Sequence, residues 1–152
     1  MSHARPDQLK PKPRVKGLTF GSAFTDHMLR VRWTAAGGWG APRIAGFENL
    51  SVHPAAKALH YAQEAFEGMK AYRGVDGRIR MFRPLHNMSR LKESAKRCCL
   101  PSSFDEGELL KCITKLVWAV KNTLKTNFRH MYRVGRQLTY IGLETVKVGS
   151  SG

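Results

Sequence analysis

The chain has 152 residues, 42% of them hydrophobic, and a formal net charge of +15 at neutral pH. That is about one domain's worth of sequence with a moderate core, and no apolar run approaches the roughly 20 residues that span a bilayer, so no membrane partner is expected. The three cysteines, Cys98, Cys99 and Cys112, form an odd set with no CxxC pair; they argue against a disulfide framework or a zinc site, fit a reducing compartment, and read as small apolar packing residues on helices.

The pI near 10.3 raises the question of nucleic acid. The charge, however, gathers at two ends. Arg5, Lys10, Lys12, Arg14 and Lys16 lie in the first stretch, and Lys121, Lys125, Arg129, Arg133 and Arg136 in a late one. With no zinc finger and no aromatic RNA-binding strand pair, this reads as arms, and no nucleic-acid partner is expected. Residues 1–16 read as a basic flexible arm. They lack the apolar core of a secretory signal, and Pro6, Pro11 and Pro13 interrupt the amphipathic helix of a mitochondrial presequence. A cytoplasmic or a mitochondrial location stays open.

HMLRVRW alternates in polarity, as a strand does. AAGGWGAPRIAGF reads as a turn followed by a short strand around Arg43 to Phe47. After Pro54, AAKALHYAQEAF places Leu59, Ala62 and Phe66 on one face of a helix that Gly68 ends. KAYRG and RIRMF form a hairpin around Val75-Asp76-Gly77, and Pro84 stops its second strand. LHNMSRLKESAKRCCL is a helix with Leu85, Met88, Leu91 and Ala95 on one side, ended by Pro101. Ser103 or Asp105 caps EGELLKCITKLVWAVKNTL, whose stripe is Leu109, Cys112, Ile113, Leu116 and Val120. RQLTYIGLE suggests one more strand, and residues 146–152 a tail or a cut end. The order predicts an α+β domain over residues 17–145, an antiparallel sheet covered by helices.

GLTFGSAFTDHML, PRIAGFENLSVHPAAKALHYAQEAFEGMKAYRG and IRMFRPLHNMSRLKESAKRCCLPSSFDEGELLKCI together resemble the branched-chain amino acid aminotransferases of animals. These are fold-type IV enzymes that use pyridoxal 5'-phosphate. The ordered block FTDHML…LHY…FEGMKA…RPxxNMxR is far more specific than a lone glycine motif. The resemblance implies the α/β small domain of that fold, with the large cofactor-binding domain absent from this chain. It implies amino-group transfer between leucine, isoleucine or valine and 2-oxoglutarate, and a homodimer or pairing with a full-length subunit.

The resemblance also assigns roles. Arg90, in NMSR, matches the arginine that binds the cofactor's phosphate, a role that suits a planar, permanently charged fork. Ser89 stands where relatives commonly have aspartate. Tyr61 in ALHY, Phe20 in LTFG and Phe66 in AFEG match aromatics of the substrate pocket, Tyr61 across the dimer interface. By periodicity alone all three read as core, and for Phe66 both readings stand. Tyr132 and Arg133 in HMYRV match a tyrosine and an arginine near the substrate, in altered spacing, with Tyr140 as the alternative. KNTLKTNFRH lacks the acidic, tryptophan-containing linker of relatives. The lysine that forms the imine belongs to the large domain, so Lys70 reads as an outward charge on a strand. The chain alone is then expected to lack aminotransferase activity. A non-catalytic isoform that pairs with full-length subunits, and more remotely a basic nucleic-acid binder, are the alternatives.

Overall fold

A computed structural model describes residues 24–120, 128–135 and 142–147, the last two segments through their backbone pairing alone. The elements are β1 (His27–Arg30), β2 (Trp33–Thr34), β3 (Gly38–Trp39), β4 (Arg43–Gly46), α1 (Lys57–Tyr61), β5 (Glu64–Arg73), β6 (Ile79–Met81), α2 (Pro84–Arg97), α3 (Glu106–Ala119), β7 (Phe128–Gly135) and β8 (Gly142–Lys147). β5 is central in a four-stranded antiparallel sheet of order β6-β5-β7-β8. β1 and β4 form a second antiparallel pair, with Leu29 opposite Ile44. The α+β class with antiparallel sheets and helices is the one the sequence implies.

The core is built where these patterns meet. Met69 of β5, Met88 and Leu91 of α2, and Ile113 and Leu116 of α3 are all fully buried, joined by Leu29 of β1. Asp105 caps α3, its Oδ1 accepting from the Glu108 N–H at 2.7 Å, which satisfies one of the donors a helix start leaves open. Pro84 opens α2, where a missing N–H costs nothing.

The helix expected up to Phe66 is much shorter. α1 ends at Tyr61, Ala62 turns left-handed (φ 47°, ψ 32°), and β5 starts at Glu64. α1 buries none of its residues, and five residues are too few for a helix to hold itself. A ten-residue strand instead pairs on both edges. Its burial alternates: Ala65, Glu67, Met69 and Ala71 turn inward, while Phe66, Gly68, Lys70 and Tyr72 turn outward. Gly68 therefore lies mid-strand and ends nothing.

Other details also shift. Leu85, expected inside, is exposed, and Asn87 takes the inward place in the first turn of α2 beside Met88. Only Cys112 lies within a helix; Cys98 is the cap residue of α2, and Cys99, just beyond, is exposed with φ 53°. The hairpin has the expected strands, with Arg73 opposite Ile79 and Gly77 at φ 74° in the turn. A strand at Phe128–Gly135 was not foreseen. The stretch 136–141 of RQLTYIGLE lies outside the described residues, and β8 begins at Gly142 and crosses residue 145 to reach Lys147. Phe20 and the 1–16 arm lie outside the described residues.

Candidate functional site

Asn87 and Arg90 are three residues apart on α2, hence on one face, and that face meets β5. There Glu67 occupies an inward position of an otherwise apolar strand face. Its carboxylate accepts four N–H groups: Arg90 Nε at 2.9 Å, Arg90 Nη2 at 2.5 Å, Asn87 Nδ2 at 2.9 Å and its neighbour Gly68 N at 3.0 Å. Asn87 Nδ2 also donates to the Gly68 carbonyl at 2.7 Å. A buried carboxylate is tolerated only when its oxygens are paired in this way. The Glu67 side chain is 9% exposed and that of Arg90 62% exposed, so the pair is anchored on its acidic side and open on its basic side. The hydrogen bond to Glu67, and then its charge, raise the Arg90 pKa above its already high ordinary value.

A guanidinium has five N–H groups. Nε and Nη2 are engaged by Glu67, and Nη1 has no hydrogen-bond partner among the described residues. Arg90 borders a cavity of about 450 Å³, lined also by Gly68 and Lys70 of β5, Phe82 and Arg83 of the connecting turn, and His86, Asn87 and Ser89 of α2. Lys70, Arg83 and Arg90 supply three cations, and among the described residues no carboxylate lines the cavity. Arg83 holds a left-handed backbone (φ 47°, ψ 48°) at the start of α2, and its Nη2 lies 3.0 Å from His86 Nε2. The first turn of α2 carries no acid, so its dipole adds to the positive field. The donor set suits a phosphate group. Among the described residues no cluster of three or more potential metal ligands exists.

The sequence-predicted residues are not all gathered here. Arg90 is at the cavity, and Lys70 is exposed as expected and lines it too. Tyr61 ends α1 and is 79% exposed; Phe66 is 65% exposed on the outer face of β5. Neither lines the cavity, and the core reading of both is overturned. Tyr132 stands opposite Glu67 in the β5–β7 register, and Arg133 opposite Phe66; their side chains lie outside the described residues. Sequence reasoning missed Glu67, whose signal was a carboxylate in the FEGMKA strand, and Asn87, which lies within the NMSR motif itself.

No family model matches the chain. The cytosolic branched-chain-amino-acid aminotransferase of Rattus norvegicus is 58% identical over 111 residues, covering 73% of this chain and 27% of the rat protein. The mitochondrial counterpart of Bos taurus is 55% identical over 115 residues, 76% of this chain and 28% of that protein. The branched-chain-amino-acid aminotransferase of Monosiga brevicollis is 48% identical over 145 residues, 93% of this chain and 36% of that protein. The chain thus spans about a quarter to a third of the length of these relatives. Relatives include both cytosolic and mitochondrial proteins, and no described helix is long and apolar enough to cross a membrane. Among solved structures, the branched-chain amino acid aminotransferase of Thermobaculum terrenum in its PLP-form matches with a TM-score of 0.58 at 18% identity, covering 84% of this chain and 41% of that one, a likeness of fold alone. The branched-chain amino acid aminotransferase from Escherichia coli matches with a TM-score of 0.54 at 21% identity over 80% of this chain and 39% of that one, again in fold. Sequence identity of 48–58% over most of its residues, together with the fold of these neighbours, places the chain in the branched-chain aminotransferase family, of whose full-length members it covers a part.

Proposed function

We propose that the chain serves amino-group transfer between branched-chain amino acids and 2-oxoglutarate, and that its share is the anchor for the phosphate of pyridoxal 5'-phosphate. The observation that carries this reading is the Arg90 guanidinium, fixed from behind by Glu67 and open toward a cationic cavity. Bound there, pyridoxal phosphate would supply the electron sink that transamination requires. The chain's own residues would then do three things. Arg90 grips the phosphate with its remaining N–H groups, Lys70 and Arg83 balance its second charge, and Ser89 adds a hydroxyl in place of the aspartate common among relatives. The exposed rings of Tyr61 and Phe66 offer apolar surface for branched side chains, at roughly 25 cal/mol per Å² buried, once a partner subunit closes over them.

On this reading residues 17–145 correspond to the small domain of the relatives, and the imine-forming lysine lies in a part of those proteins that this stretch does not span. Residues 17–145 alone then do not turn over substrate, and function requires a subunit that carries the lysine, in cytosol or mitochondrion. Calorimetric titration with pyridoxal 5'-phosphate tests the anchor: binding by the chain that is lost in Arg90→Ala supports it, and equal binding by both overturns it. Turnover of leucine with 2-oxoglutarate by the purified chain would overturn the inactivity.

A second reading rests on Leu59, Tyr61 and Phe66, large apolar side chains between 64% and 79% exposed on neighbouring elements. Such surface is a docking face, and it suits a non-catalytic isoform that pairs with full-length subunits. Subunit exchange with a full-length relative, followed by native mass spectrometry, decides between a mixed dimer and none.

A further inference from the structure

We infer that Glu67 is a positioning residue for the anion site: it sets the plane of the Arg90 guanidinium, so that the N–H edge left over faces the cationic cavity. This rests on the reading of Arg90 as the phosphate anchor.

A partly exposed arginine side chain has four rotatable bonds and samples many positions, so a phosphate that meets it must first order it. Here the ordering is already done. Nε and Nη2 are parallel donors to the two oxygens of one carboxylate, which fixes the plane of the fork. The carboxylate is in turn fixed by Asn87 Nδ2 and the Gly68 N–H. Asn87 is buried and tied to the Gly68 carbonyl. The chain of contacts ends in a strand paired along both edges, so the orientation is referred to the rigid part of the sheet. Groups that touch a ligand are commonly oriented by such outer partners. The cost is a carboxylate close to an anion site. Three cations, Lys70, Arg83 and Arg90, surround the cavity, and the burial of Glu67 behind the guanidinium keeps its charge off the cavity lining.

The test separates positioning from folding. In the ¹⁵N-labelled chain, the Nε–H resonance of Arg90, identified by its loss in Arg90→Lys, is expected to exchange slowly with water. An unprotected Nε–H in the wild-type chain overturns the inference, whatever the variants do. Glu67→Gln is isosteric but puts an amide where Arg90 and Asn87 need acceptors; it should release the Nε–H. Glu67→Asp, which keeps the charge but shortens the reach, should release it as well, and protection retained in either folded variant overturns the inference. A ³¹P titration with pyridoxal 5'-phosphate then reads the consequence. Glu67→Gln should weaken binding about tenfold, and make no further difference in an Arg90→Ala background. An equal loss in both backgrounds would mean that Glu67 acts on the fold at large, against the inference. If the wild-type chain shows no phosphate binding at all, the proposed function fails, while the Nε–H measurement still decides the role of Glu67.

Discussion

The carboxylate of Glu67 and the guanidinium of Arg90, 23 residues apart in the chain, meet through two hydrogen bonds of 2.9 and 2.5 Å. One residue comes from an inward position of β5 and the other from the second turn of α2. The contact joins the sheet to the helix and, in the same step, aims a cation at the cavity.

Asn87 carries part of that junction, donating to both Glu67 and the Gly68 carbonyl while buried. Asn87→Ala takes one donor from the buried Glu67 carboxylate and one from the part-buried Gly68 carbonyl. The expected loss is about 1–3 kcal/mol of folding stability, read from the midpoint of urea unfolding with an unchanged slope.

The core makes a sharper contrast along the same helix. Leu91 is fully buried and Leu85 is exposed. Leu91→Ala should cost about 2–5 kcal/mol, whereas Leu85→Ala should stay within about 0.5 kcal/mol of the native chain. Parallel thermal melts check the pair, and similar losses at the two sites would contradict the orientation of α2.

Much of the framework was legible because its signals are local. The hairpin follows from Asp76-Gly77 between alternating strands, and α3 from Asp105 ahead of a regular apolar stripe. The boundary of α1 was hidden for a physical reason. ALHYAQEAF satisfies helical spacing, yet EAFEGMKAY also alternates with period two, and the inward Glu67 masks the second pattern by placing a charge where an apolar residue is expected. That same carboxylate becomes intelligible only when Arg90 and Asn87 arrive from α2, a tertiary event that no local window contains. Arg90 itself was found through the NMSR motif, since spacing alone gives an ordinary surface arginine.

The turn of the hairpin makes a pH prediction. Asp76 accepts two hydrogen bonds from Arg80, at 2.9 and 2.7 Å, and one from the Arg78 N–H. The hydrogen bond to Arg80, followed by that to Arg78, lowers the Asp76 carboxyl to about 2. A folded-state value below the unfolded one means that the stabilisation is present above the unfolded pKa and is lost as pH falls toward 2. The group is at the surface, so salt weakens the effect. The Asp76 carboxyl carbon should titrate near 2 in the native chain and return toward the ordinary aspartate range in Arg80→Ala.

The cysteines should differ in reactivity. Burial pushes the Cys112 thiol up, opposed by the weaker pull of Lys115, while Cys99 is exposed outside any helix. Since the thiolate is the nucleophile, iodoacetamide at mildly alkaline pH should alkylate Cys99 well before Cys112, by about tenfold in rate, as followed by peptide mass spectrometry. Equal rates would contradict the placement of Cys112 against the core.

The most direct measurement is cofactor trapping. The purified chain is incubated with pyridoxal 5'-phosphate, reduced with borohydride and digested, and its lysines are surveyed by mass spectrometry, with Arg90→Ala alongside. The account predicts that, before reduction, the cofactor stays with the chain through gel filtration and is lost in Arg90→Ala, and that after reduction no lysine is modified stoichiometrically. Stoichiometric labelling of one lysine, Lys70 at the cavity above all, would contradict it, because the chain would then hold an imine site of its own.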